Sequence, residues 1–100
     1  MKISVETRGE QRGWIAEITG KDPKYKFARE FIGNRDYSQA DEFGNGAITQ
    51  ATLEEGHLYE INAPHPDGVD RHFCTIVNDE IVELGYRELM ERLEAREQEG

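Results

Sequence analysis

The stretch RHFCTIVNDEIVELGYRELMERL, residues 71–93, decides the fold class, because its side-chain period changes from that of a strand to that of a helix. Residues 71–77 alternate and are rich in aromatic and β-branched side chains. Cys74 and Ile76 fall on one face, Phe73, Thr75 and Val77 on the other. Asn78 and Asp79 tolerate positive φ, so VNDEIVEL reads as a tight hairpin whose second strand covers 80–84. From Tyr86 the apolar positions are Tyr86, Leu89, Met90 and Leu93, at i, i+3, i+4 and i+7, one face of a helix. Arg87 with Glu91 and Glu88 with Arg92 stand at i, i+4 on its polar side, pairs worth about 0.2–0.5 kcal/mol each. A helix of this kind docks on a sheet and closes one side or end of it. The final REQEG has no apolar residue to anchor it and is expected to fray.

Upstream, most of the chain reads as further strands. Ile3, Val5 and Thr7 alternate with polar neighbours, and after RGEQRG the pattern resumes at Trp14, Ala16 and Ile18, which predicts a β-hairpin with one buried face. Gly20 and Pro23 in GKDPKY break the strand. Tyr25, Phe27, Arg29 and Phe31 then alternate as a third strand, with helix as the rival reading, since residues 27, 28, 31 and 32 also share a helical face. AITQATL (47–53) and HLYEINA (57–63) supply two more, separated by LEEG, and PHPDG turns the chain into residue 71. The segment 33–46, GNRDYSQADEFGNG, lacks periodicity and reads as a long loop, a class of segment that tends to carry function. The predicted architecture is α+β, mainly β: a strongly bent antiparallel sheet or small barrel of about six to seven strands with one C-terminal helix, forming a single domain over residues 1–100.

Composition narrows the function classes. The chain is 33% charged and 36% hydrophobic with nine aromatic residues, which favours a folded domain over disorder. No apolar run reaches the roughly 18 residues that span a bilayer, and MKISVETRG lacks the apolar stretch of a signal peptide, so the expectation is a cytoplasmic protein without a membrane partner. Its lone cysteine, Cys74, excludes an internal disulfide framework. The net charge of −9 is uneven: residues 1–33 hold seven Lys/Arg against five Asp/Glu, residues 34–100 five against sixteen. That balance disfavours backbone-driven nucleic-acid binding and favours solubility, a protein partner that is itself basic or nucleic-acid-binding, or both.

Three sets of residues are candidate sites. Asp41, Glu42, Glu54, Glu55 and Glu60 lie in a span, 41–60, without Lys or Arg, and with Tyr37 and Phe43 they form a candidate partner-binding surface. His57, His65, His72 and Cys74 are the available zinc ligands, but no CxxC or HExxH accompanies them. His72 and Cys74, two apart on a strand, are too distant for a nucleophile and its base. Lys21, Lys24, Lys26 and Arg29 beside Tyr25 and Phe27 interleave cations with rings, as a nucleic-acid stacking platform does. NRDYSQADEFGN has Gln39 and Asn45 where a calcium loop needs glycine and glutamate, and GNG at 44–46 lacks the rest of a phosphate loop. No cofactor is indicated.

The run GWIAEITGKDPKYKFAREFI, with GHLYEI and RHFCTIVNDEIVEL, resembles a group of small uncharacterised β-rich proteins of bacterial, archaeal and phage genomes. The resemblance implies a β-rich fold and a mobile-element origin, and it carries over no functional residue. Taken together, the leading expectation is a small acidic protein-interaction module. In its sharper form it is an inhibitor occupying the basic nucleic-acid-binding surface of a host machine such as a CRISPR effector. A small metal-binding protein or enzyme is the alternative, and a weak nucleic-acid-binding barrel stands third. Oligomeric state is not fixed by the sequence.

Overall fold

The computed structural model describes residues 1–6, 13–65 and 68–99, without the side chains of 64, 65, 68, 69, 98 and 99. The elements in chain order are β1 (Lys2–Glu6), β2 (Trp14–Gly20), β3 (Ala28–Ile32), β4 (Asn34–Asp36), β5 (Ile48–Thr52), β6 (Leu58–His65), β7 (Gly68–Val77), β8 (Glu80–Leu84) and α1 (Tyr86–Glu99). Among the described residues all pairings are antiparallel and make two sheets, one in the order β1-β5-β4, the other β3-β2-β6-β7-β8. The mainly-β class with a C-terminal helix is as predicted; the sheets do not close into a barrel. Among the described residues no helix is long and apolar enough to cross a membrane.

The expected hairpin between the first two strands does not form. Strand β1 pairs instead with β5, Ile3 opposite Ala51 and Val5 opposite Thr49. The reason lies in β2: it is flanked by β3 and β6, and its two faces are both apolar, with Ile15, Ala16 and Ile18 all fully buried. The expected turn RGEQRG lies largely outside the described residues. The third strand starts at Ala28, later than expected, because Pro23 and Asp22 organise a turn first. The Asp22 carboxylate accepts the Lys24 N–H at 2.8 Å, and the Asp22 carbonyl accepts the Tyr25 N–H at 3.1 Å.

Gly33 carries the chain from one sheet to the other. It links β3, an edge of the larger sheet, to β4, an edge of the smaller, at φ +105°, and a Cβ there would stand 2.7 Å from the Gln50 carbonyl oxygen. Only glycine accommodates both demands. Strand β4 falls within the segment expected to be loop.

The large sheet is the middle layer of three. One face packs on the small sheet, where Val5, Ile15, Ala51, Leu53, Tyr59, Cys74 and Ile76 form a core. The other packs on α1, where Ile18, Phe27, Leu58, Leu84, Leu89 and Leu93 form a second. Leu89 and Leu93 are buried, as the helical spacing requires, while Met90 is half-buried and Tyr86 exposed. The helix runs to Glu99. Arg96 Nη1 donates to the Ile18 carbonyl at 3.2 Å, beside the β2 register shift, and Lys21 Nζ pairs with Glu94 at 2.9 Å. The hairpin after β7 turns through Asn78 and Asp79 at φ 52° and 59°, as expected, and the Glu55 carboxylate accepts both of their N–H groups.

Candidate functional site

A groove of about 420 Å³ opens beside α1, where the helix leaves the sheet face uncovered. Lys24, Tyr25, Lys26, Phe27 and Arg29 line it from the turn and β3. Arg71 and Phe73 come from β7, and Tyr86 from the start of α1. Four cations thus stand among four rings. Each cation lies over a ring: Lys24 Nζ at 5.2 Å from the Tyr25 centroid, Lys26 Nζ at 5.4 Å from Tyr86, and the guanidinium carbons of Arg29 and Arg71 at 4.4 and 5.6 Å from Phe27 and Phe73. The rings also touch one another, Phe27 edge-on to Phe73 at 5.8 Å and Phe73 tilted on Tyr86 at 6.4 Å.

Glu60 sets the position of the two arginines. Its side chain is 0% exposed, on β6 beneath the groove, where burial of an unpaired carboxylate would be costly. Arg71 Nε donates to its Oε1, and Arg29 Nε lies 2.5 Å from its Oε2. One carboxylate holds two guanidiniums at the groove wall, so this cluster has a surplus of positive charge. Among the described residues Lys24 and Lys26 have no carboxylate partner. Lys26 also adopts a left-handed backbone, φ 71°, rare for a side-chain-bearing residue, and this turn places its ammonium over Tyr86. Lys21, grouped with these cations by sequence, lies elsewhere and pairs with Glu94, whose hydrogen bond raises its pKa.

The acidic candidates do not form one free surface. Glu60 is buried, so it cannot project toward a partner as the sequence reading placed it. Glu55 is committed to the Asn78–Asp79 turn, and Glu54 lies 3.3 Å from His57 Nε2. Asp41 shapes its own loop: its carboxylate accepts the N–H groups of Asn45 and Phe43, at 3.0 and 2.9 Å, and these bonds hold its pKa below the usual range. Asp36 does the same for Ser38 at 2.9 Å. The loop so built presents Phe43 at 80% exposure, Glu42 beside it and Tyr37 against the Arg35 guanidinium.

The metal candidates are dispersed. His57 Nδ1 bonds to Glu17, while His72 Nδ1 lies 3.2 Å from Glu83. Cys74 is buried in the core between the sheets, where burial pushes its thiol up to about 11. The side chain of His65 lies outside the described residues. Among the described residues no group of three or more His, Cys, Asp or Glu is placed to hold a metal ion. A second hollow of about 510 Å³ on the small sheet, lined by Ser4, Asn34, Gln50 and neighbours, has Lys2 as the one ionic group among its described lining residues.

No protein-family model, curated protein or solved structure matches the chain. What the sequence reading missed at the groove is Arg71, Phe73 and Tyr86. Phe27 and Arg29 stand two apart at the start of β3, Arg71 and Phe73 two apart on β7, and this repeated pairing was the available signal.

Proposed function

We propose that this protein is a binding module whose groove takes a phosphorylated ligand carrying a flat ring, the chemistry of a nucleotide. The observation that carries the reading is the interleaving of Lys24, Lys26, Arg29 and Arg71 with Tyr25, Phe27, Phe73 and Tyr86 around one groove. Cations attract phosphate, and ring faces stack on a base; together they select a ligand that has both. The exposed rims, Tyr25 at 59% and Tyr86 at 48%, leave faces open to a ligand.

Lys26→Gly provides the test, because glycine suits φ 71° and the substitution removes one cation without burying or exposing a core group. Titration with adenosine monophosphate, followed by amide shifts in an NMR spectrum, is expected to move Tyr25, Arg71 and Tyr86 saturably. Lys26→Gly lowers the affinity about three- to tenfold, the loss of one charge-assisted contact, while thermal stability holds or rises. Absence of saturation at about 10 mM ligand, or unchanged affinity in the variant, overturns the reading.

A second reading rests on Phe43. A large ring exposed on a loop that Asp41 rigidifies is suited to anchor a protein partner, since little ordering entropy remains to be lost on binding. With the net charge of −9, that partner would be basic, such as a nucleic-acid-handling host protein that an acidic inhibitor would occupy. Affinity capture from lysate at low and high salt, with wild type and Phe43→Ala in parallel, tests it. A basic protein held at low salt by wild type alone supports the reading, and equal capture by both forms removes it.

A further inference from the structure

We infer that the groove's ligand is a short single strand of nucleic acid, with one base in the groove and another, about two nucleotides along, on the Phe31–Trp14 pair. This rests on the binding reading above and names its ligand.

The inference comes from strand register. Phe31 is opposite Ala16, Ala16 opposite Glu60, and Glu60 opposite Phe73, so these four share one row and one face of the large sheet. Trp14, Asn62 and Arg71 form the adjoining row on that face. Phe31 is 68% exposed although it lies on a strand, and Trp14 meets it edge-on at 5.3 Å. The aromatic surface therefore continues out of the groove, past Arg29 and Arg71, to a second ring pair. Along β3 the step from Arg29 to Phe31 is about 7 Å, and across three strand spacings Phe31 stands about 14 Å from Phe73. Rings at such intervals, with guanidiniums between them, match a strand whose bases are splayed onto protein rings while its phosphates follow the cations. A duplex hides its base faces and gains nothing from this arrangement.

Charge limits the length. Lys24, Lys26, Arg29 and Arg71, less Glu60, leave a local surplus of three on a chain of −9, so a strand of about three nucleotides saturates the site. About three neutralised phosphates give a salt slope near −2 in log–log form, shallow for a nucleic-acid binder.

The test compares thymidine monophosphate, the single strands dT5 and rU5, and inorganic pentaphosphate, with wild type and Phe31→Ala. Phe31 is exposed, so its variant folds, and an unchanged melting temperature checks this. Either strand is expected to bind at least about tenfold tighter than the mononucleotide or the pentaphosphate, the gain of one stacked base. Phe31→Ala is expected to abolish that gain and leave the mononucleotide affinity unchanged. Strands no tighter than the mononucleotide would overturn the inference and leave the nucleotide reading standing. Pentaphosphate binding as tightly as the strands would overturn it in favour of charge alone. If neither mononucleotide nor strand binds, the reading beneath it also falls.

Discussion

Glu60 shows how a single residue can mislead when its sequence neighbours supply the context. Among Glu54, Glu55 and Tyr59 it reads as one more surface acid, yet the structure closes it in completely between two arginines. The burial is tolerated because Arg71 hydrogen-bonds one oxygen while Arg29 stands against the other as an ion pair, and because both arginine side chains retain contact with water, Arg71 at 49% and Arg29 at 23% exposure. Glu60→Gln keeps the shape and removes the charge. It is expected to destabilise the fold by about 1–3 kcal/mol, less than the 3–5 typical of a fully enclosed pair, because Arg71 can turn toward solvent. Urea unfolding measures this, and a midpoint equal to or above that of wild type would contradict the described coupling. Lys26 was legible as part of a cation-and-ring pattern, but its left-handed backbone was not, since nothing in KYK marks a residue forced into that region.

At the scale of elements, periodicity was a good guide to strands and a poor one to their partners. The alternation of 71–77, the Asn78–Asp79 turn and the spacing from Tyr86 each describe a local preference, and each appears in an element of the predicted type, although β7 begins three residues earlier, at Gly68. Three-residue β4 could not be seen that way, because NRD is too short to display a period; it exists because Gly33 delivers the chain to the edge of β5. Gly33→Ala is expected to cost about 1–3 kcal/mol for the backbone alone, and more for the contact with Gln50. The loss should concentrate in β4, so amide exchange at Asn34–Asp36 accelerates before the large sheet responds. Uniform acceleration across both sheets would show instead that the corner is an integral part of the whole fold. The groove was half legible for a related reason: residues 24–29 carry their pattern within one segment, whereas Arg71, Phe73 and Tyr86 join them only through the strand order β3-β2-β6-β7 and the return of α1.

For the whole molecule, three layers explain why the chain can be so polar and still fold. The large sheet packs a core against each face, so its residues serve two cores at once: Ile15 belongs to one and Ile18, three positions on, to the other. Charge is correspondingly pushed outward, and the −9 total coexists with a local cationic groove because the fold gathers distant basic residues on one sheet face. The pairing of β1 with β5 has a consequence in time rather than in space. Lys2 lies opposite Thr52, so β1 is made without its partner until the chain has run on through β5, while β6, β7, β8 and α1 are joined to their neighbours by short connections. Closing so long a loop is entropically slow compared with zipping adjacent hairpins. Strand β1 is therefore made well before β5 and incorporated late, and until it docks, the side of the core that Val5 covers is open to water.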